Sequence, residues 1–549
     1  MGRIDFCAFL GYISFVAGQT RLLSKIQFCG ECRAYPALQG GVMKRTALVF
    51  LGIAVGLFLV AGPIPAADQP KHGGKLVVAQ DIDAVGLDPY KTTAFASKNY
   101  FEQIYNSLLQ FDAKGSLQPE LATSWENPNP TTYVFRLRKE VKFHDGKEFT
   151  AEDVKATFDR LLDPKTGSVR SITFKPVDRV EVVDKHTVRF ILKEPFAPFL
   201  NYLASPAHAS ILSKGVIESS DPNKVVIGTG AFQMAEFRPN DTMLLKKNPL
   251  YWEKGLPYLD EMEIRLIKDP SSRVAALRAK SVDYIWIMEP QLVQVLMKEK
   301  GIHSAMAAST ARKRVFFNCT KPPFNNVKVR QALSSATDRK ELIRVTVMGK
   351  GELSGVLPAA VGDYAFPAEK LPLYDYNLDR AKKLLAEAGY PKGFKAQFKV
   401  SAAHISDQYA AQMLQGQWKK IGVEIEIVQV EWATVIKNTN EKNYEIIINT
   451  AIWEPDPDGY LAYRWDIQAR TGFSSPDLDQ MSLEGLTTID HPKRVALYHE
   501  IGKKIAEYAP ILYIYAHPQR FEFWRDSLKG YVPLPQCSRV NMKGAWLDR

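Results

Sequence analysis

The chain has 549 residues, 46% of them apolar and 24% charged, which suits two to four folded domains and excludes a disordered chain. Residues 1–67 hold six Lys/Arg and two Asp/Glu, so the formal charge of +11 leaves 65 basic and 58 acidic residues beyond them, a net +7. That excess is dispersed, which argues against a nucleic-acid face, and the 11% aromatic share suits a cleft lined with rings.

The N-terminal region carries two apolar runs. In the second, Met43 precedes Lys44-Arg45, an uncharged stretch Thr46–Gly62, and Pro63-Ile64-Pro65-Ala66-Ala67. A basic start, an apolar middle and a small residue at the cut form a secretory signal, with cleavage expected after Ala67 and translation expected from Met43. Cys7, Cys29 and Cys32 precede Met43, in a stretch not expected to be translated, and Cys319 and Cys537 are left beyond the leader. No cysteine stands at the expected cut, so the exported protein is expected to carry no lipid anchor. Spacing leaves open whether Cys319 and Cys537 pair.

Beyond the leader, Lys75–Gln80 reads as a strand, and Ser97 or Asn99 is expected to cap a helix Tyr100–Leu108. Tyr133–Arg138 alternates as a strand, and Val141–Gly146 reads as a second strand with a turn. Thr150-Ala-Glu-Asp153 opens a helix through Leu162. His144-Asp145 invites a catalytic reading, but a hairpin tip between Phe143 and Phe149 accounts for it. Val180–Val183 and Val188–Leu192 form a hairpin. In Ile227–Trp252, Gly228 and Gly230 are expected to bracket a turn that uses glycine's freedom in φ. Pro239-Asn240-Asp241 closes a second hairpin, and Tyr251-Trp252 anchors its exit.

Further on, Met262–Ile267, Val282–Trp286 and Arg314–Asn318 read as strands, with helices at Ser272–Ala279 and Val327–Ala336. The helix Leu378–Ala388 ends at Gly389 and Pro391. Phe398–Val400, the helix Gln408–Ile421, Val423–Ile427 and the apolar Tyr444–Ile448 follow, and this alternation predicts parallel pairing. Asp490–Glu507 is a long helix before a last apolar strand, Ala509–Tyr515. The sequence lacks a nucleophile elbow, a phosphate-binding loop and a His-Glu-x-x-His pair, so no enzyme activity, cofactor or metal is expected.

Several separated motifs, in order, resemble the family 5 extracellular solute-binding proteins of ABC importers: Gly73-Gly74 with Leu87-Asp88-Pro89, Trp125–Leu162, Glu194-Pro195-Phe196, Ile227–Trp252, and Arg330–Arg339. The likeness runs from about Gly73 to about Tyr531. It implies an α/β, bilobed periplasmic binding protein fold (type II) with an extra domain and a ligand cleft between the lobes. One lobe is expected from 68–112 with 223–305 and 520–549, the extra domain from 113–222, and the other lobe from 306–519. It also implies a soluble periplasmic monomer that hands a small solute, a di- or oligopeptide first of all, to permease and ATPase subunits. An opine, sugar, glutathione-like compound or metal chelate is the alternative, and a sensor-linked binder or a secreted hydrolase are further ones.

Trp453-Glu454-Pro455-Asp456-Pro457-Asp458 follows the apolar strand, at the strand ends where α/β clefts bind. In the family's peptide binders a Trp stacks here and an Asp pairs with the peptide amine. Aligning Asp456-Pro457-Asp458 with the family's Asp-Pro-Asp puts Trp453 at the amine position, which cannot accept a proton, unless Glu454 or Asp456 takes the role. Trp453, Glu454, Asp456, Trp286 and Phe95 are therefore the candidate ligand-binding residues. The plainer readings are that the aspartates form a turn and the rings are core.

Overall fold

The computed structural model describes residues 69–549 apart from 93, 307–310, 403, 452–455, 462, 517–520 and 535–539. The expected signal peptide, the first three cysteines and Cys537 lie outside these residues, and Cys319 is a free thiol.

Two large sheets and one of four strands organise the described chain. The first has seven strands in the order Ile302–Met306, Phe521–Arg525, Tyr284–Ile287, Lys75–Gln80, Glu261–Leu266, Thr242–Lys247 and Phe232–Arg238. Lys75–Gln80 runs parallel to Glu261–Leu266 and to Tyr284–Ile287. Both faces of this sheet are covered. Leu76, Val78, Tyr284 and Trp286 enter one core, while Ala79, Ile285 and Ile287 enter another on the opposite side. That is the period-2 alternation of a strand with two buried faces.

The second sheet runs Glu352–Leu353, Ile511–Ala516, Arg312–Phe317, Ile446–Ala451, Lys395–Ser401 and Glu424–Val430. Its last three strands are mutually parallel, as the strand–helix–strand alternation predicts. Val315, Ile446, Ile448 and Leu512 pack on one side, and Phe316, Ile447, Ile511 and Tyr513 on the other. The chain passes from the first sheet to the second between Met306 and Ala311, and back between Ala516 and Phe521.

The third sheet has four antiparallel strands, Ala122–Asn129, Thr132–Leu137, Thr187–Leu192 and Val177–Asp184. The helix Ala151–Leu162 covers it, with the Asp153 carboxylate accepting the Thr150 N–H at 2.9 Å. Phe158 meets Phe190 edge-on at 4.8 Å. Phe158, Phe190 and Phe135 share one continuous core with Leu76, Val78 and Trp286 of the seven-stranded sheet.

Three expectations need correction. The helix expected at Tyr100–Leu108 spans Phe95–Ile104, so Ser97 and Asn99 lie inside it. Their side chains tie the helix to the end of the first strand and the loop after it instead: Ser97 Oγ accepts from Val85 N–H at 2.9 Å, and Asn99 Nδ2 donates to Gln80 Oε1 at 3.0 Å. The Val141–Gly146 segment forms no strand, only a single bridge from Lys142 to Glu148 and a tight turn. His144 explains this, because its backbone and ring bond to another segment. Its N–H donates to Gly228 O at 2.9 Å, Nδ1 accepts from Gly228 N–H at 3.2 Å, and Nε2 sits 3.2 Å from Gly230 O. Burial pushes the imidazole pKa down to about 4, so the neutral ring that both contacts require is the stable form.

The third correction concerns the glycines. Neither Gly228 nor Gly230 adopts a positive φ. They are needed for close approach. A Cβ on Gly228 would lie 2.0 Å from Ile104 O, and one on Gly230 would lie 2.4 Å from Gln103 O. Gly230 N–H donates to Ile104 O at 2.9 Å, so this segment closes the open C-terminal end of the Phe95–Ile104 helix. Gly230→Ala is expected to destabilise the fold by about 1–3 kcal/mol, the usual cost of overpacking. Gly416→Ala, in a helix where a Cβ meets nothing within 4 Å, is expected to be neutral or stabilising by up to about 1 kcal/mol. Urea midpoints of the two variants beside wild type provide the check.

Candidate functional site

The strand Ile446–Ala451 lies between Arg312–Phe317 and Lys395–Ser401, and the chain leaves its end toward Asp456 and the short helix Pro457–Leu461. This is the carboxyl-end position where α/β proteins place ligands. Asp456 is fully buried, and four N–H donors converge on its carboxylate. Arg494 Nη2 reaches Oδ1 at 2.9 Å and Nη1 reaches Oδ2 at 3.1 Å. The Asp458 backbone N–H donates to Oδ1 at 2.9 Å, and Asn201 Nδ2 donates to Oδ2 at 2.8 Å. The Asp458 bond caps the short helix, the turn-forming role read from Asp-Pro-Asp.

Arg494 sits early in the helix His491–Tyr508, whose N-cap Asp490 accepts from Lys493 N–H. Its guanidinium lies over the rings of Tyr364 and Tyr498 at 5.4 and 5.2 Å, and Nε donates to Gly485 O at 2.9 Å. Burial alone lowers its pKa, but the Asp456 carboxylate more than offsets this and raises it, so the guanidinium stays charged. The carboxyl of Asp458, beside that pair, is pushed up to about 7, first by desolvation and then by the negative charge of Asp456.

A basic triplet lies across the same end of the second sheet. Arg312, Lys313 and Arg314 are consecutive in the strand Arg312–Phe317 and are all buried. Arg312 Nη2 donates to Tyr460 O at 2.5 Å and Nη1 to Val356 O. Lys313 forms a buried ion pair with Asp407, which also lies 3.4 Å from His404 Nδ1. Arg314 Nη2 donates to Asn449 Oδ1 at 3.2 Å and its guanidinium lies 4.8 Å above the Phe316 ring. Sequence reading began this strand at Arg314. The available signal was three basic residues running directly into Val-Phe-Phe, which a solvated face does not need.

Of the other sequence-derived candidates, Trp453 and Glu454 lie outside the described residues. Phe95 opens the helix Phe95–Ile104, and its side chain also lies outside them. Trp286 is 1% exposed in the first core, with Arg273 5.4 Å from its ring and donating to its carbonyl at 3.2 Å. Among the described residues no cluster of His, Cys, Asp and Glu suits a metal ion, and no helix is long and apolar enough to cross a membrane.

Comparison with known proteins places this geometry. The profile of the bacterial extracellular solute-binding proteins, family 5 (middle region) matches residues 116–471. The chain belongs to this family. A glutathione-binding protein of Pectobacterium atrosepticum is 30% identical over 488 residues, covering 86% of this chain and 93% of that one. The periplasmic binding protein DppA of Helicobacter pylori, solved with the peptide STSA, superposes with a TM-score of 0.74 at 27% identity, over 87% of this chain and 99% of that one. The ABC transporter substrate-binding protein CtaP of Listeria monocytogenes gives a TM-score of 0.80 at 26% identity, over 87% and 100%. The fold is thus the bilobed α/β binding-protein fold. As a family member the chain is the solute-binding component of an ABC importer, a protein that holds a solute for permease and ATPase subunits.

Two measurements probe the site. Arg494→Met leaves the Asp456 carboxylate buried without its cation and is expected to cost about 3–5 kcal/mol in a urea titration. Asp458 holds a proton in the folded state between its ordinary 3.8 and about 7, where the unfolded chain has lost it. Its contribution is therefore full below pH 3.8 and lost as pH rises through 7. Asp458→Asn should gain stability on wild type as pH rises across that window and hold a constant lead above it, as read from urea midpoints at several pH values.

Proposed function

We propose that the protein captures a short peptide, glutathione being the first to test, in the cleft between the two sheets, and delivers it to an ABC importer after export to the periplasm. The observation that carries this reading is the 30% identity to a glutathione-binding protein across 86% of the chain. The peptide-bound neighbour at TM-score 0.74 supports the same ligand class. Glutathione is itself a tripeptide with two carboxylates. A Trp at the amine position, as the family motif aligns, fits a ligand recognised less by its ammonium group than by its acidic ends. The basic triplet Arg312–Arg314 at the same end of the sheet favours that polarity.

Trp453 stacks on the ligand and Glu454 offers it an acceptor, while Phe95 and Trp286 contribute from the first sheet's side. Asp456, whose oxygens receive four N–H donors, holds the start of the short helix Pro457–Leu461. We place one lobe at 68–112 with 223–305 and 520–549, the other at 306–519, and an extra domain at 113–222, a division that the make-up of the seven-, six- and four-stranded sheets supports. Translation starts at Met43 and cleavage after Ala67 removes the leader on export; the exported chain carries no lipid anchor and acts as a monomer without cofactor or catalysis. Binding works by hinge closure: a ligand that touches both lobes stabilises the closed form by the difference in its contacts to the two states.

Glutathione at a hundredfold excess over its Kd should add about 2.7 kcal/mol of apparent stability. It should also lower the radius of gyration in small-angle scattering and be recovered intact. Trp453→Ala should weaken binding about tenfold or more while leaving the ligand-free melting curve unchanged. If neither glutathione nor a panel of di- to pentapeptides shifts the melting curve, the peptide reading fails.

A further inference from the structure

The segment Glu194–Leu203 carries a second role, one that needs no ligand. Phe196, Phe199 and Leu203 anchor it in the first core, together with the four-stranded sheet. Its polar groups face the other way. Asn201 Nδ2 donates to Asp456 Oδ2 at 2.8 Å, and the Ala197 backbone N–H donates to Leu486 O at 2.8 Å. Asp456 and Leu486 belong to the other half of the molecule, beside Tyr364, Tyr460, Leu478 and Tyr498 of a different core. The Leu486 side chain itself packs back against the first core.

One guanidinium organises both contact points. Arg494 holds Asp456 through Nη1 and Nη2, and holds Gly485 O, one residue before Leu486, through Nε. Gly485 leaves no room for a side chain, since a Cβ there would lie 2.8 Å from the Tyr498 hydroxyl oxygen. The receiving surface is therefore rigid and preset within its own half, and Asn201 and Ala197 reach it from the other half.

We infer that the Glu194–Leu203 segment is a clasp between the two halves, that Asn201 is its positioning residue, and that the clasp stabilises the closed form whether or not a solute is bound. This rests on the hinge-closure reading above and adds to it. The ligand then has to supply only part of the closing free energy. The contact ends on Asp456, the carboxylate that Arg494 holds, so closure is coupled to that ion pair. A hydrogen bond from a neutral amide to a buried carboxylate is of the strong, charge-assisted kind. Losing it is expected to move the closed-to-open ratio about tenfold toward open.

The test uses the exported protein without ligand. Hydrogen exchange is followed at the Ala197 amide, with small-angle scattering alongside, for wild type, Asn201→Ala and Asn201→Asp. The clasp predicts exchange at Ala197 about tenfold faster in Asn201→Ala and faster still in Asn201→Asp, where a second carboxylate faces Asp456. It also predicts a larger radius of gyration in both variants, with exchange in the strands Ile446–Ala451 and Tyr284–Ile287 unchanged. A merely structural role for Asn201 would speed exchange in its own core without opening the molecule. Wild-type exchange at Ala197 in both variants, or an unchanged radius, overturns the proposal. Because no ligand is present, this outcome is separate from failure to bind glutathione, which bears on the peptide reading alone.

Discussion

The ion pair between Arg494 and Asp456 is the constraint on which the site depends. Two ions taken out of water are expensive, and their geometry repays this only when the remaining hydrogen-bonding capacity is filled. Here it is filled from four directions: the guanidinium, a backbone N–H of the following helix, the amide of Asn201, and a carbonyl on the far side of the arginine. The pair fixes Asp456 at the start of the short helix Pro457–Leu461. It also places the surface that receives Asn201 and Ala197.

The same economy appears in the first half of the molecule. The Ile227–Trp252 stretch is built around a backbone laid against the end of a helix, closer than any side chain allows at Gly228 and Gly230. His144 locks the other side of that stretch with both ring nitrogens, in the neutral form that burial favours. A hairpin tip that sequence alone shows as a polar turn is thus a splice between the four-stranded sheet and the seven-stranded one. This is how the extra sheet and the first large sheet come to share one core, and why the segment carrying Asn201 has a firm base.

A binding protein has to be rigid within each half and cheap to move between them. The two large sheets, each buried on both faces, supply the rigidity. Among the described strands the chain crosses between them twice, and the polar contacts at Asn201 and Ala197 are directional, which suits reversible closure. Family membership supplies the importer role.

The sequence by itself determined most of the local structure and the family. Lys75–Gln80, the hairpin around Asn240, the helix after Thr150 and the parallel strands after Gly389 were all legible, because each follows from a period of two or 3.6, a cap or a turn residue. Motif order then carried the bilobed fold. What the sequence could not give was any relation between segments far apart in the chain. Glycines read as flexible proved to be contact points. Ser97 and Asn99, read as caps, proved to be ties to the preceding strand and loop. Asp456, read as a ligand residue or a turn former, acquired partners at positions 201 and 494. The physical reason is that propensity and periodicity act over a few residues. The pairing of a buried charge, or the approach of one backbone to another, is decided only when distant segments are brought together and their polar groups must find partners there.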